Sequence, residues 1–344
     1  MTLIARAAAA CGLALALGTA TAGLSQPQGP AAPAYHAPRT EFGDPDLQGL
    51  WTNASITTLE RPAWATKLVL TPEEAAQAVA KYKAWLAAND NPAEQAKERD
   101  DPGGYNSFWL DPGSKFGVVR GEIRTSWIVD PPTGHIPYSP EGGRAAMATG
   151  MRQFRDFSGP EVRSLGERCI VGYGSTGGPP MLNVLYNNNY QIVQSPGYVV
   201  IVVEMNHDAR IIRLGGTHPP ANIRPWMGDS IGHWEGDTLV VETTNLNPGQ
   251  AFTADVRHRI YLAPESKVIE RFTRVADHDI LYEFKVEEPH AYTQTWRGEI
   301  PMHATKGPMY EYACHEGNYA LADILAGARE EEKTATLAAA KGPK

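Results

Sequence analysis

The feature that most constrains the fold is a two-residue periodicity in the second half of the chain. Ile280, Tyr282, Phe284 and Val286 alternate with Leu281, Glu283, Lys285 and Glu287. That pattern makes a strand with one buried and one largely solvated face. Tyr198 to Val203 is almost wholly apolar, as in a strand buried on both faces, and Ala209 to Leu214 returns after a short tip to give a hairpin. Gly236-Asp237 reads as a two-residue II′ turn between Ile231–Glu235 and Thr238–Thr243. This turn pairs Trp234 with Leu239 and His233 with Val240. Trp234, Leu239 and Val241 then share a core face, with Ile231, His233, Val240 and Glu242 on the other. Val268–Val275 and Ile280–Glu287 flank Asp277-His278-Asp279 as a further hairpin, and Thr293–Ile300 is a last strand. Successive hairpins predict a mainly β fold, an antiparallel meander β-barrel, with a β-sandwich as the alternative.

The first half supplies an opening strand and helices. Asp46 to Thr52 reads as the first strand, and its Gly49-x-Trp51 resembles the opening of lipocalin-like barrels, where the Trp plugs the closed end. That likeness is architectural and implies no function. Thr71-Pro72-Glu73-Glu74 is a helix start, with Thr71 as N-cap, Pro72 at N1 and Glu74 completing a capping box. The helix runs to about Ala88, and Asn89 to Gly104 reads as a loop. Thr125–Val129 is a short strand, and Ser139 caps a second helix over Gly143–Phe154. These elements form a helical insertion over about 60–165. Gly172 to Pro180 holds four glycines and two prolines and reads as a structural loop, with no cofactor expected. Asn318 to Ala340 reads as a C-terminal helix.

At the N-terminus Arg6, the apolar Ala7–Ala16 and Ala20-Thr21-Ala22 have the layout of an export signal over residues 1–22. Residues 23–43, rich in Pro, Ala and Gln, read as a flexible linker, 44–317 as one barrel domain, and 318–344 as a helical tail. Loss of Arg6 moves the formal net charge from -8 to -9. An acidic chain without a basic, aromatic stripe argues against nucleic acid and anionic membrane as partners. No later apolar run is long enough for membrane insertion. The expected location is periplasmic or extracellular. There Cys169 and Cys314, left after Cys11 departs, are expected to form a disulfide, the alternative being two buried thiols. Such a long loop contributes on the order of 4–5 kcal/mol in the chain-entropy model.

Candidate site residues cluster at strand tips. His207 beside Asp208 makes a general base, because a carboxylate fixes the imidazole tautomer and raises its basicity. This requires residues 205–208 to turn, since in a straight strand the two point apart. Arg210 can pair with Asp208 or clamp a substrate carboxylate. Asn187, Asn188 and Asn189 offer donors and acceptors between two tyrosines, or serve a turn. Trp226 can stack on a ring; Asp229, His233 and Trp234 join it as pocket candidates, and His315 is a further acid/base candidate. The metal-binding spacings H-E-x-x-H, H-x-H and paired C-x-x-C do not occur.

His207-Asp208-Ala209-Arg210, Gly228-Asp229-Ser230, Trp234 to Asn245 and Tyr312 to Asn318 resemble motifs of a large family of exported bacterial proteins. The resemblance covers most of the chain after the signal and carries over no catalytic residue. The residues themselves point to a metal-independent acid/base enzyme of lyase, isomerase or hydratase type. Its substrate would be a small aromatic or sugar-like molecule, with His207 as base. The rivals are a non-catalytic periplasmic small-molecule binding protein using the barrel mouth, and an envelope interaction module.

Overall fold

The computed structural model describes residues 35–89, 110–255 and 257–340. The export signal and most of the linker lie outside them, as does most of the loop after the first helix. Strands β1 (Gly49–Thr52), β2 (Val69–Leu70), β3 (Val118–Val119), β4 (Glu122–Arg124) and β5 (Ile128–Asp130) precede the main run. Then follow β6 (Asn189–Ser195), β7 (Tyr198–Val203), β8 (Ala209–Leu214), β9 (Asp229–Glu235) and β10 (Thr238–Thr244). The last are β11 (Phe252–Asp255), β12 (His258–Tyr261), β13 (Lys267–Ala276), β14 (Asp279–Glu287) and β15 (Trp296–Ala304). The helices are α1 (Pro72–Asn89), α2 (Pro140–Arg155) and α3 (Tyr319–Ala340).

The sheet runs in the order β1-β6-β7-β8-β9-β10-β13-β14-β15, and pairing of β1 with β15 closes these nine strands into a barrel. Closure excludes the sandwich. β5 adds to the outside edge of β15, while β2-β4-β3 and β11-β12 form small separate sheets. The register at β9–β10 is Trp234↔Leu239 and His233↔Val240, as the turn predicts. The capping box is made at α1: Glu74 N–H donates to Thr71 Oγ1 at 3.2 Å and Thr71 N–H to Glu74 at 2.8 Å. Ser139 caps α2 in the same manner, accepting from Gly142 N–H at 2.9 Å.

One strand pair corrects the meander. β8 and β9 are parallel, with Ile212↔Ser230 and Leu214↔Gly232 in register. Parallel neighbours need a crossover, and residues 215–228 supply it. Hairpin reasoning misses this because it takes each strand's successor to run antiparallel beside it. The barrel is mixed.

The bore is filled. Trp51, Tyr190, Phe272, Tyr282, Trp296, Ile300 and Met302 are all buried, and Phe272, Tyr282, Phe284 and Trp296 form a chain of ring contacts. Gly298 makes room for them: a Cβ there would fall 2.3 Å from the Phe284 ring. One end is closed by residues that sequence assigned to the linker and first strand. Trp51 is buried there, its indole N–H donating to Leu47 O at 2.9 Å. Tyr35 donates to Asp277 at 3.0 Å, and Arg39 pairs with Asp237 at 2.6 Å. The linker from residue 35 onward is therefore fastened to the β9–β10 and β13–β14 turns.

Candidate functional site

At the other end, where β6, β8, β9 and β13 begin and β7 and β10 finish, the Gly-rich segment of residues 172–183 plugs the barrel. Its polar groups are taken up by buried side chains. Tyr190 donates to Thr176 O at 3.1 Å, Met181 N–H donates to Tyr282 Oη at 2.9 Å, and Asn183 accepts from the Trp127 indole at 2.7 Å. Glycine is required at position 172, where a Cβ would lie 2.6 Å from Met205 Cγ and 2.5 Å from Thr176 Oγ1. Gly172 N–H donates to Asp208 Oδ2 at 2.8 Å.

Beside this plug lies a cleft of about 400 Å³. Its rings are Phe154 from α2, Tyr173 from the plug, Tyr186, Phe252 from β11, and Tyr312. Gln153, Ser164, Gln250 and Thr253 add neutral polar groups, and Glu167 adds a carboxylate. Tyr186 and Tyr312 stack with ring centres 6.5 Å apart and planes at 13°. Glu167 is held by Arg163 at 2.6 Å and by the Ser164 hydroxyl at 2.7 Å, so its charge is compensated. Cys169 and Cys314 are joined as a disulfide across 145 residues, tying the wall at 164–174 to the segment that carries Tyr312. Asn318 Nδ2 adds a bond to Glu167 O at 2.7 Å. Behind the plug, burial depresses the basicity of His258, whose Nε2 donates to Gly174 O at 2.6 Å and so fixes that tautomer.

The predicted residues separate into groups. Residues 205–207 do turn, as a 3₁₀ segment with Asn206 and His207 at φ of 58° and 46°. The turn exposes His207 and buries Asp208, which bonds to Gly172 and, at 3.3 Å, to Asn206 rather than to the imidazole. Burial, the largest cause, holds the Asp208 carboxyl above the usual carboxylate range. Arg210 does not meet Asp208. It points into the bore and forks onto Glu270 at 2.8 and 2.5 Å, with Tyr282 donating to the same carboxylate at 2.7 Å. Asn188 is a buried staple: its Oδ1 accepts from Val184 N–H at 2.8 Å and its Nδ2 donates to Asp111 O at 3.0 Å. Asn189 donates to Glu204 at 2.7 Å, and Asn187, at φ 54°, makes the turn that leads into them.

Asp229 lies outside the bore in a bidentate pair with Arg213 at 2.8 and 2.9 Å, and His218 Nδ1 is 2.6 Å from it. The Arg213 hydrogen bonds, first among the causes, hold its carboxyl below the usual range. Trp234 packs on the core, His233 is exposed near Glu235 at 3.3 Å, and His315 is exposed. Trp226 is exposed, with its ring 3.1 Å from where a Gly249 Cβ would sit. None of these lines the cleft.

Sequence reasoning missed Phe154, Tyr173, Phe252 and Tyr312. They come from four separate segments, and the β11–β12 hairpin carries no alternation strong enough to announce it. The available signals were Tyr186 at the end of the Asn run and Tyr312 beside the disulfide. No family model matches the chain, and comparison with the curated proteins and with the solved structures finds no match.

Proposed function

We propose that the protein is an exported, non-catalytic binding protein that takes a small aromatic or sugar-like ring into the cleft beside the plug. The observation that carries this reading is the lining: five aromatic rings and four neutral polar side chains around about 400 Å³. Rings bury a planar ligand face, and amide and hydroxyl groups orient its polar edge. The disulfide supports an oxidising compartment. The test is a calorimetric titration with phenolic acids and simple pyranosides, beside Tyr186→Ala. Binding of one class, weakened about tenfold by the substitution, supports the reading. Absence of binding from both panels, or an unchanged affinity in the variant, overturns it.

The acid/base enzyme is the second reading, favoured by one observation. Asp208, raised by burial, is bonded to the backbone of a cleft-lining residue, Gly172. A carboxyl held above its ordinary range exchanges its proton at a higher pH than an ordinary carboxylate, as a general acid or base requires. Incubation with the ligand found above, followed by mass spectrometry, distinguishes the two. Product that disappears in Asp208→Asn or His207→Ala favours the enzyme, and recovery of unchanged ligand favours the binding protein.

A further inference from the structure

Helix α2 presents two unlike faces. Inward it packs through small residues: Gly142 and Gly150 are buried, and a Cβ at Gly150 would lie 2.9 Å from the Phe252 ring. Outward it carries Met147, Met151 and Phe154, which are 71%, 44% and 54% exposed. Their i, i+4, i+7 spacing places them in one row. By the same 3.6-residue period, Arg144 and Arg155 fall on this face. Both are exposed, and neither forms an ion pair among the described residues. Arg259 lies 6.0 Å from the Phe154 ring and is exposed too. Of the neighbouring acids, Asp156 is 3.8 Å from Arg152, and Glu141, one turn before Arg144, forms no ion pair with it among the described residues.

An apolar row flanked by unpaired arginines on an acidic chain calls for a partner that is both apolar and anionic. We propose that α2 is a docking face for an anionic phospholipid bilayer. Met147, Met151 and Phe154 enter the boundary between headgroups and acyl chains, and Arg144 and Arg155 pair with lipid phosphates. The flexible thioethers of methionine suit a surface with no fixed shape. A protein partner would need about 800 Å² from each side, and three side chains on a convex helix offer a fraction of that. The net charge of -8 does not decide the matter. Screening confines each charge to about 8 Å at physiological salt, so the local patch governs contact. Contact is with the surface only, since no helix of the described residues is long and apolar enough to cross a membrane. Because Phe154 belongs both to this row and to the cleft, the cleft opens beside the docked face.

The test is co-sedimentation of the purified protein with vesicles of equal parts phosphatidylglycerol and phosphatidylcholine, and with phosphatidylcholine alone. Binding is expected to the anionic vesicles and to fall as salt is raised. Met147→Ser with Met151→Ser is expected to weaken it roughly tenfold, as is Arg144→Glu with Arg155→Glu. Circular dichroism should stay unchanged, because all four side chains are exposed. Failure to bind anionic vesicles overturns the proposal, as does binding that both double variants leave intact. Self-association in sedimentation velocity that Met147→Ser with Met151→Ser abolishes, without vesicle binding, also overturns it and reassigns the face to a second copy of the chain. The cleft reading stands or falls separately, since Met147 and Met151 do not line the cleft.

Discussion

Arg210 and Arg213 sit three residues apart on β8 and face opposite sides of the barrel wall. Each forks onto a carboxylate, Arg210 onto Glu270 and Arg213 onto Asp229. The inner pair is 2% and 0% exposed, the outer 36% and 9%. The inner pair also enlists Tyr282, and Ser230 and Thr243 lie 3.4 Å from the guanidinium. Desolvation of two charges offsets most of their attraction there. Its intactness therefore matters more than its presence. The outer pair stands where the crossover from β8 to β9 lies along the barrel, with His218 of that crossover on the same carboxylate. Asn245 Nδ2 fastens the crossover again through Pro219 O at 3.0 Å. One ion pair is part of the core, and the other secures the connection that makes the barrel mixed.

The sharpest way to break this contrast is to strip one partner from the inner pair. Glu270→Gln leaves a buried guanidinium without its counter-charge and is expected to cost about 3–5 kcal/mol in urea unfolding. Replacing both, Arg210→Met with Glu270→Leu, should recover most of that loss, since no buried charge is then unpaired. The Tyr282 hydroxyl loses its acceptor in the double variant, which costs about 1 kcal/mol. A double variant no more stable than Glu270→Gln would show that the pair contributes net stability.

The outer pair should yield less. Asp229→Ala removes the acceptor for Arg213 and His218, and is expected to cost about 2 kcal/mol, because Arg213 can turn to water. Its signature lies in pH. The Asp229 carboxyl is held below its ordinary range in the folded state, so folding is favoured once pH exceeds the unfolded value. That contribution is lost as pH falls through the folded value. Acid unfolding of the native chain should therefore steepen below about pH 4, the ordinary range of an aspartate, and Asp229→Asn should remove that component. Amide exchange in residues 215–228 should rise in the same variant while the bore stays protected.

Legibility in the sequence followed the range of the interactions. The β9–β10 register, the β13–β14 hairpin, the α1 capping box and the left-handed turn at Asn206-His207 depend on residues within a few positions of one another. Arg210 could not be paired from sequence, because Glu270 is 60 residues away and its strand reads equally well with the acid facing out. The parallel β8–β9 pair was hidden for a related reason: the residues that hold the crossover, His218 and Asn245, look like ordinary loop and strand-end polar groups. The disulfide was readable from compartment and parity alone. The cleft was not, since its rings come from segments that only tertiary packing unites.

The smallest effect expected concerns Asp208, and its sign is opposite to that of Asp229. Burial raises the Asp208 carboxyl above its ordinary range in the folded state, so the folded protein holds this proton more tightly than the unfolded chain. Stability from this group is present in full below the unfolded value and is lost as pH rises through the folded value. Above the folded value the ionised carboxylate is therefore a net cost, moderated by the Gly172 and Asn206 hydrogen bonds. Asp208→Asn keeps an acceptor oxygen for Gly172 N–H and removes the charge, so it should stabilise the protein at pH 7 by about 1 kcal/mol or less. It should also flatten the decline in stability on the alkaline side of the carboxylate range. Destabilisation at pH 7 would mean that the plug depends on the negative charge itself. The carboxylate that anchors Gly172 would then match the inner pair, whose charges the fold cannot lose one at a time, more closely than the outer one.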